Sequence, residues 1–417
     1  MGTATLDQTA REAIGSACAE VQDPGSTDTV DGVVPGLVAR PADTAQVAEV
    51  LKAAHAHGLT VVPRGRGTKL SWGTAPTSAD VLLDVSALGQ VLDHAAGDLI
   101  VDTQAGVPLA TVQEVVAQGG QRLSLDETVT GASIGGSLAT NASGPRRVAV
   151  GTARDLLIGI TVVRADGVVA KAGGRVVKNV AGYDLGKLLV GSFGTLAVIT
   201  EAVFRLHPAP VATRWVTVPV ADPVQAQDVV QSVIHAQAVP AAIEVEWAEG
   251  AGSVSVLLEG RDTGVDGRTS TVLELLGDAS SASEDPPASG ATYPWDVSAT
   301  GDDRATALKL TFALSGLSDV LTVAGETGLR VRGSAGAGVL YAALDTGTPQ
   351  QVVDVVHRLR DTCTRHGGST VVVDAPAAVK AAVEVWGPVP AIDLMLRVKS
   401  QFDPDHRLAP GRYVGGI

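Results

Sequence analysis

Two glycine-rich stretches hold the residues best suited to chemistry. The first, Pro63 to Gly73, reads PRGRGTKLSWG; the second, Leu125 to Gly144, reads LDETVTGASIGGSLATNASG. Glycine lets a backbone approach a bulky polar group closely and lets successive N–H groups aim at one anion. In the first stretch Gly65 and Gly67 offer this, with Arg64, Arg66 and Lys69 as neighbouring charge. The second interleaves Gly131, Gly135, Gly136 and Gly144 with Thr130, Ala132, Ser133 and Thr140. The two stretches read as two sides of a grip on one dinucleotide.

Competing readings of the same residues are weaker. Gly131-Ala132-Ser133-Ile134-Gly135 fits G-x-S-x-G, a nucleophile elbow, which needs a strand before it and a helix after it. Leu125 to Thr130 is a poor strand, and Gly136 disfavours an immediate helix. Ser133 therefore reads as a ligand contact, through its hydroxyl or its N–H. The first stretch departs from G-x-G-x-x-G at Leu70, and the residues up to Pro76 do not open a helix, so a Rossmann reading fails on context. Gly182 to Lys187 lacks both the spacing and the following hydroxyl of a phosphate-binding P-loop. None of the eight histidines is paired at metal-ligand spacing with a nearby carboxylate, so no metal ligands are assigned. Arg175 to Lys187 is either a solvated loop or a wall over the ligand, with Lys178 near a phosphate or a substrate carboxylate.

Positioning falls to the surrounding elements. A short helix carries Leu6, Ala10, Ile14 and Ala17 on one face. A strand at Leu37–Arg40, a helix with Val47, Val50 and Leu51 inward, and a strand at Leu59–Val62 form a β-α-β unit that delivers the chain into the first glycine stretch. Strands dominate from Val81, and Ala165-Asp166-Gly167 marks a hairpin. Pro208 and Pro210 mark a domain boundary. Beyond it the order strand-helix-strand-strand-helix-strand predicts an antiparallel sheet with helices on one face. The segment SSASEDPPASGATYP reads as a mobile surface loop. The tail reads as a helix, an Asp-Pro turn and an extended arm.

The chain has 417 residues, of which 45% are hydrophobic, so it can build more than one core. A net charge of -14 argues against nucleic acid as the main partner. The N-terminal residues do not have the pattern of a signal peptide, and no uncharged apolar run is long enough to span a bilayer. Cys18 and Cys363 match no redox or metal spacing, which fits a reducing, cytoplasmic setting.

The series PRGRGTKLSWG, VDTQAG, GASIGGSLATNASGPRR, GTARDLLIGITVVRADG and VVKNVAGYDLGKLLVGSFGTLAVITE resembles the FAD-binding domain of the vanillyl-alcohol-oxidase/PCMH flavoproteins. Within them it is most similar to the FAD-binding subunits of bacterial glycolate oxidases, and GSAGAGVLYA, HGGSTVVVDAP, VWG and KSQFDPDHRLAPGR follow the same order. The resemblance implies an α+β fold: a two-lobed PCMH-type FAD-binding domain over residues 30–210 and a ferredoxin-like α+β cap over 211–390. A helical segment over 1–29 precedes them, and an arm over 391–417 returns to the first domain. It implies that Pro63, Arg64, Gly65, Arg66, Gly67, Thr68 and Lys69 wrap the FAD pyrophosphate from one side. Thr130, Gly131, Ala132, Ser133, Gly135, Gly136, Thr140 and Gly144 would wrap it from the other, with Val198 and Ile199 beside the flavin ring. Covalent members carry a histidine where this chain has Thr68, which implies non-covalent FAD.

The implied activity is FAD-dependent oxidation of a small anionic 2-hydroxyacid such as glycolate. A second flavin subunit and an iron–sulfur subunit would be partners, with membrane association only through them. Related metal-dependent dehydrogenases carry a histidine-rich motif where this chain has GSAGAGVLYA. The alternative is therefore a non-catalytic, FAD-carrying electron-transfer or assembly subunit. The general base is unassigned. His366 is a candidate by family position, and Arg332, Lys309 and Tyr341 are candidates for holding an anionic substrate; each also has a structural reading.

Overall fold

The computed structural model describes residues 6–175 and 184–417. Three sheets organise the chain. In the first, Leu37–Arg40, Val81–Asp84 and Val61–Arg64 lie parallel in that order, with Glu20–Gln22 antiparallel on the outer edge. Helix Thr44–Ala56 is capped by the Asp43 side chain and buries Val47, Val50, Leu51 and Ala54 against this sheet. Helix Gln8–Ala17 buries Ala10 and Ile14, as its apolar spacing predicts.

The second sheet is antiparallel, in the order Val91–Ala95, Ile100–Gln104, Val198–Arg205, Leu157–Val163, Val169–Gly173. Its core takes in helices Leu109–Ala117 and Ile134–Thr140. Val163, Ala165 and Val198 also join the core of the first sheet, so the two lobes share apolar packing.

The third sheet has eight antiparallel strands. Here the strand-helix-strand-strand-helix-strand order occurs twice, over 212–283 and 306–374. Each half places its fourth strand beside its first, then its third, then its second. The halves join where Ala242–Ala248 pairs with Arg330–Ser334. The sequence predicts one ferredoxin-like unit; the fold contains two, fused edge to edge. Ile243, Val245, Trp247, Val331 and Leu340 lie under the helices. Alternation along the strands turns Glu244, Glu246, Arg332, Ser334 and Tyr341 to the opposite face.

That face meets the lobes built on the first two sheets. Trp72, Tyr293, Trp295 and Tyr341 form an aromatic cluster across the junction, with Tyr293 and Trp295 stacked at 4.6 Å and Trp72 edge-on to Tyr293 at 5.5 Å. Tyr293 ends the segment read from sequence as a mobile loop. Its polar part is exposed, but Tyr293 and Trp295 are buried, because two large rings gain more from the junction than from water. Charged groups also cross the junction. Arg122 grips Glu259 through both nitrogens, at 2.7 and 2.5 Å, and Arg146 bridges Glu259 and Asp126. Arg304 and Lys380 meet Asp31 and Asp374, and Ser71 donates to Asp374 at 2.6 Å.

The tail forms helix Ile392–Phe402 and then an arm. The arm docks on the first sheet: Val61 N–H donates to Arg407 O, and Ala409 N–H to Val61 O. Lys399 and Asp403 form a fully buried pair at 2.6 Å, and Lys399 also donates to Thr195 O and Leu408 O.

Candidate FAD-binding site

The first glycine stretch leaves the C-terminal end of a parallel strand, Val61–Arg64, and turns through Gly67 at φ +76°. Its conformation is held from three directions. Arg64 is clamped by Asp28 at 2.5 Å and Asp84 at 2.8 Å, so its guanidinium serves the loop rather than a ligand. Burial alone would raise both carboxyls; hydrogen bonds, including those from Arg64, outweigh it and hold them below the usual range. Arg412, from the tail, is buried and donates to Leu70 O and Trp72 O, both at 2.9 Å. Burial pulls its pKa down to about 10, against the pull of Asp31 and Asp374. Lys380 donates to Ser71 O.

The second stretch is zipped to residues 105–109. Leu109 N–H donates to Ala132 O, Ile134 N–H to Val107 O, and Gly135 N–H to Ala105 O. Gly135 is needed there, since a Cβ would lie 2.8 Å from that of Ala105. Contrary to the sequence expectation, a helix starts directly at Ile134 and runs to Thr140. Ser133 caps it, its Oγ accepting from Gly136 N–H at 3.2 Å, and the packing on Ala105 offsets the poor propensity of the two glycines. Ser133 is almost wholly buried, and no histidine is hydrogen-bonded to it among the described residues, so its hydroxyl is a cap rather than an activated nucleophile.

The two stretches face each other closely. A Cβ on Gly65 would sit 2.3 Å from Ser133 Oγ. Between them is a cleft lined by Pro63 through Leu70 on one side and by Ser133, Gly136, Ala139 and Thr140 on the other. Phe193 and Arg412 complete it; the sequence reading assigned neither to the site. Phe193 sits in a tight turn at φ +54°, stacked on Tyr413.

Lys69 decides the character of the cleft. It is buried, 6.0 Å from the Trp72 ring centroid, and makes no ion pair among the described residues. Burial depresses its ammonium to a pKa of about 8, with only Glu127 opposing. A buried, unpaired cation beside two glycine turns fits an anion with several oxygens, as the pyrophosphate of a dinucleotide is. Arg66 is exposed at the mouth and makes no ion pair among the described residues.

Other residues from the sequence reading lie elsewhere. Thr130, Gly131, Ala132 and Gly135 do not line this cleft, and Gly131 N–H is taken by Glu127 at 2.9 Å. Gly144 lines a smaller pocket between the domains, with Arg332 and Tyr341. Val198 and Ile199 are buried at the start of their strand. Lys309 shares the sheet face of Tyr341, its register partner, but does not line that pocket. His366 is paired with Asp319 at 2.8 Å and lines none of these cavities. Thr68 lines the cleft with no side chain suited to flavin attachment. Arg175 is bound to Asp93 and Asp102; Lys178 lies outside the described residues.

Residues 35–173 match the family model described as an FAD binding domain. These residues are an FAD-binding domain. The chain is 34% identical over 212 residues to the glycolate oxidase subunit GlcD of Bacillus subtilis, covering 51% of this chain and 45% of that protein. It is 37% identical over 172 residues to a D-lactate dehydrogenase of Archaeoglobus fulgidus, covering 41% and 39%. The chain thus spans less than half the length of these curated relatives. Among solved structures, an alkyldihydroxyacetonephosphate synthase superposes with a TM-score of 0.71 at 16% identity, covering 99% of this chain and 87% of that one. At that identity the likeness concerns the fold alone. FAD is the cofactor that the match assigns and that the cleft chemistry suits. No helix among the described residues is long and apolar enough to cross a membrane.

Proposed function

We propose that this chain is an FAD-dependent oxidoreductase acting on a small 2-hydroxyacid, glycolate or D-lactate in type, and passing electrons to a partner subunit. The carrying observation is the cleft between the two glycine stretches, where Lys69 is buried with no ion pair among the described residues. The relatives' names supply the substrate class. Lys69 and the turns at Gly65 and Gly67 would hold the pyrophosphate, Arg412 would keep the loop in shape, and the cap would shield the flavin from water. Bound FAD supplies a hydride acceptor; the chain's residues orient it and its substrate. Thr68 supports non-covalent attachment. Partners of the kind read from sequence, a second flavin subunit and an iron–sulfur subunit, belong to the same proposal, as does a cytoplasmic location.

A second reading is an FAD-carrying subunit without its own catalysis. It is favoured by Gly333 to Tyr341, which contains neither histidine nor carboxylate. Anaerobic addition of glycolate or D-lactate to the purified, flavin-loaded chain separates the two. Bleaching of the flavin absorbance supports the first; a bound flavin that stays oxidised refutes it and leaves the second.

A further inference from the structure

Residues 284–300 join the two ferredoxin-like halves of the cap. They form no helix or strand among the described residues, and most are exposed or half-buried. One island is different: Tyr293, Pro294 and Trp295 are buried, with Thr292 and Asp296 exposed on either side. Backbone hydrogen bonds here stay within the segment: Gly290 N–H to Pro287 O, Thr292 N–H to Ser289 O, and Ala299 N–H to Asp296 O. Such a segment can open locally while the sheet stays folded, because no ladder ties its backbone to the rest of the chain.

The island is held by its rings and by two side-chain contacts. The stacked Tyr293 and Trp295 lie against Trp72 of the first glycine stretch, Val129 and Ala132 of the second, and Tyr341 of the cap. Thr128 Oγ1 donates to the Tyr293 hydroxyl at 3.0 Å. Arg332, anchored by Glu246 at 2.7 Å, donates from Nη1 to Thr292 Oγ1 at 2.9 Å and to Thr292 O at 3.1 Å. The rings therefore cover the cap side of both loops that grip the cofactor. Beside them the junction keeps a pocket of about 20 Å³, room for about one water. Arg147 and Arg332 line it, and the buried Arg147 Nη1 and Arg332 Nε have no hydrogen-bond partner among the described residues. Guanidinium nitrogens kept from water favour an open junction, while burial of two large rings favours a closed one. There is also space for the segment to move into. Residues 297–302, just beyond the island, border an open cleft of about 1150 Å³ whose other side is the first glycine stretch.

We propose that residues 289–300 are a strap, with Tyr293 and Trp295 as its plug, that closes the cap side of the cofactor site against anything larger than water. A small substrate or reductant reaches the flavin when the plug leaves the junction while the cap stays folded. This rests on the FAD-dependent reading above and adds a gate to it. Chymotrypsin reads the plug directly. It cuts after Trp295 once that ring is out, and after Trp247, fully buried under the helices, only when the cap unfolds. In the full-length wild type the Trp295 cut is faster than the Trp247 cut. Tyr293→Ala removes the stacking partner and raises that ratio about tenfold, the scale of one aromatic pair. Tyr293→Phe keeps the stack, loses only the Thr128 bond, and stays within about threefold of the wild type. On the flavin-loaded protein, anaerobic dithionite bleaches the flavin absorbance faster in Tyr293→Ala than in Tyr293→Phe or the wild type. The proposal is overturned if Trp295 and Trp247 are cut together in the wild type and in Tyr293→Ala, or if all three chains bleach at one rate. Flavin is measured on the same samples after denaturation. A chain that shows the early Trp295 cut but carries no flavin fails the cofactor reading alone, and a flavin-loaded chain whose two cuts coincide fails this one alone.

Discussion

Replacing Lys69 with methionine should move stability and cofactor affinity in opposite directions. Lys69 is 7% exposed, and its pKa falls from 10.5 to about 8 because burial disfavours the ammonium. That shift corresponds to about 3 kcal/mol of destabilisation whenever Lys69 is charged and no anion is bound. Between pH 8 and 10.5 the unfolded chain binds more protons here than the folded one. Stability of the flavin-free protein therefore rises with pH across that window, and the full penalty is present below it. Methionine fills the space beside Trp72 without charge, so the flavin-free variant unfolds at higher denaturant at pH 7, by up to about 3 kcal/mol. FAD affinity falls about 10- to 100-fold, the worth of a hydrogen bond to a charged group. Bound pyrophosphate restores the ammonium, so at pH 8 the wild type takes up roughly half a proton as FAD binds, and the variant takes up none. Calorimetry in two buffers of different ionisation enthalpy reads this directly. A variant that is less stable without flavin, or that binds FAD as tightly as the wild type, would refute the placement of Lys69 against the phosphates.

Three further outcomes follow from the packing. Gly65→Ala sets a methyl 2.3 Å from Ser133 Oγ, forces the two loops apart and removes flavin from the purified protein; adding Ser133→Ala removes the clashing atom and restores it. Ser133→Ala alone loses a helix cap, costs about 1 kcal/mol in denaturant unfolding, and retains flavin, which a nucleophile reading does not allow to coexist with full activity. Lys399→Met strands the Asp403 charge in the core and destabilises the chain by about 3–5 kcal/mol at pH 7, with the arm at Arg412 and the flavin content lost together.

Much of the fold was legible locally. Strand alternation, the Asp-Gly hairpin and both glycine stretches are short-range signals, and each marks an element or turn in the structure. The start of helix Ile134–Thr140 was misread because glycine propensity is local, whereas the contact of Gly135 with Ala105 is not. Tyr293 and Trp295 were hidden at the end of a polar segment, since composition describes the segment and burial depends on which rings wait at the junction.

The sequence by itself determined that there are two glycine loops, and that the first, with Arg64, Arg66 and Lys69, follows a strand able to present it. It also determined which face of each cap strand is apolar. Only the tertiary structure decided which charges are free. Arg64 is spent on Asp28 and Asp84, while Lys69 has no ion pair among the described residues. Glu244 and Arg332, on strand faces that alternation marks only as polar, meet Arg147 at a pocket between the domains. The reason is physical: residue type sets what a group can bond, but desolvation and pairing depend on neighbours brought in from elsewhere in the chain, 36 and 20 residues away for the partners of Arg64.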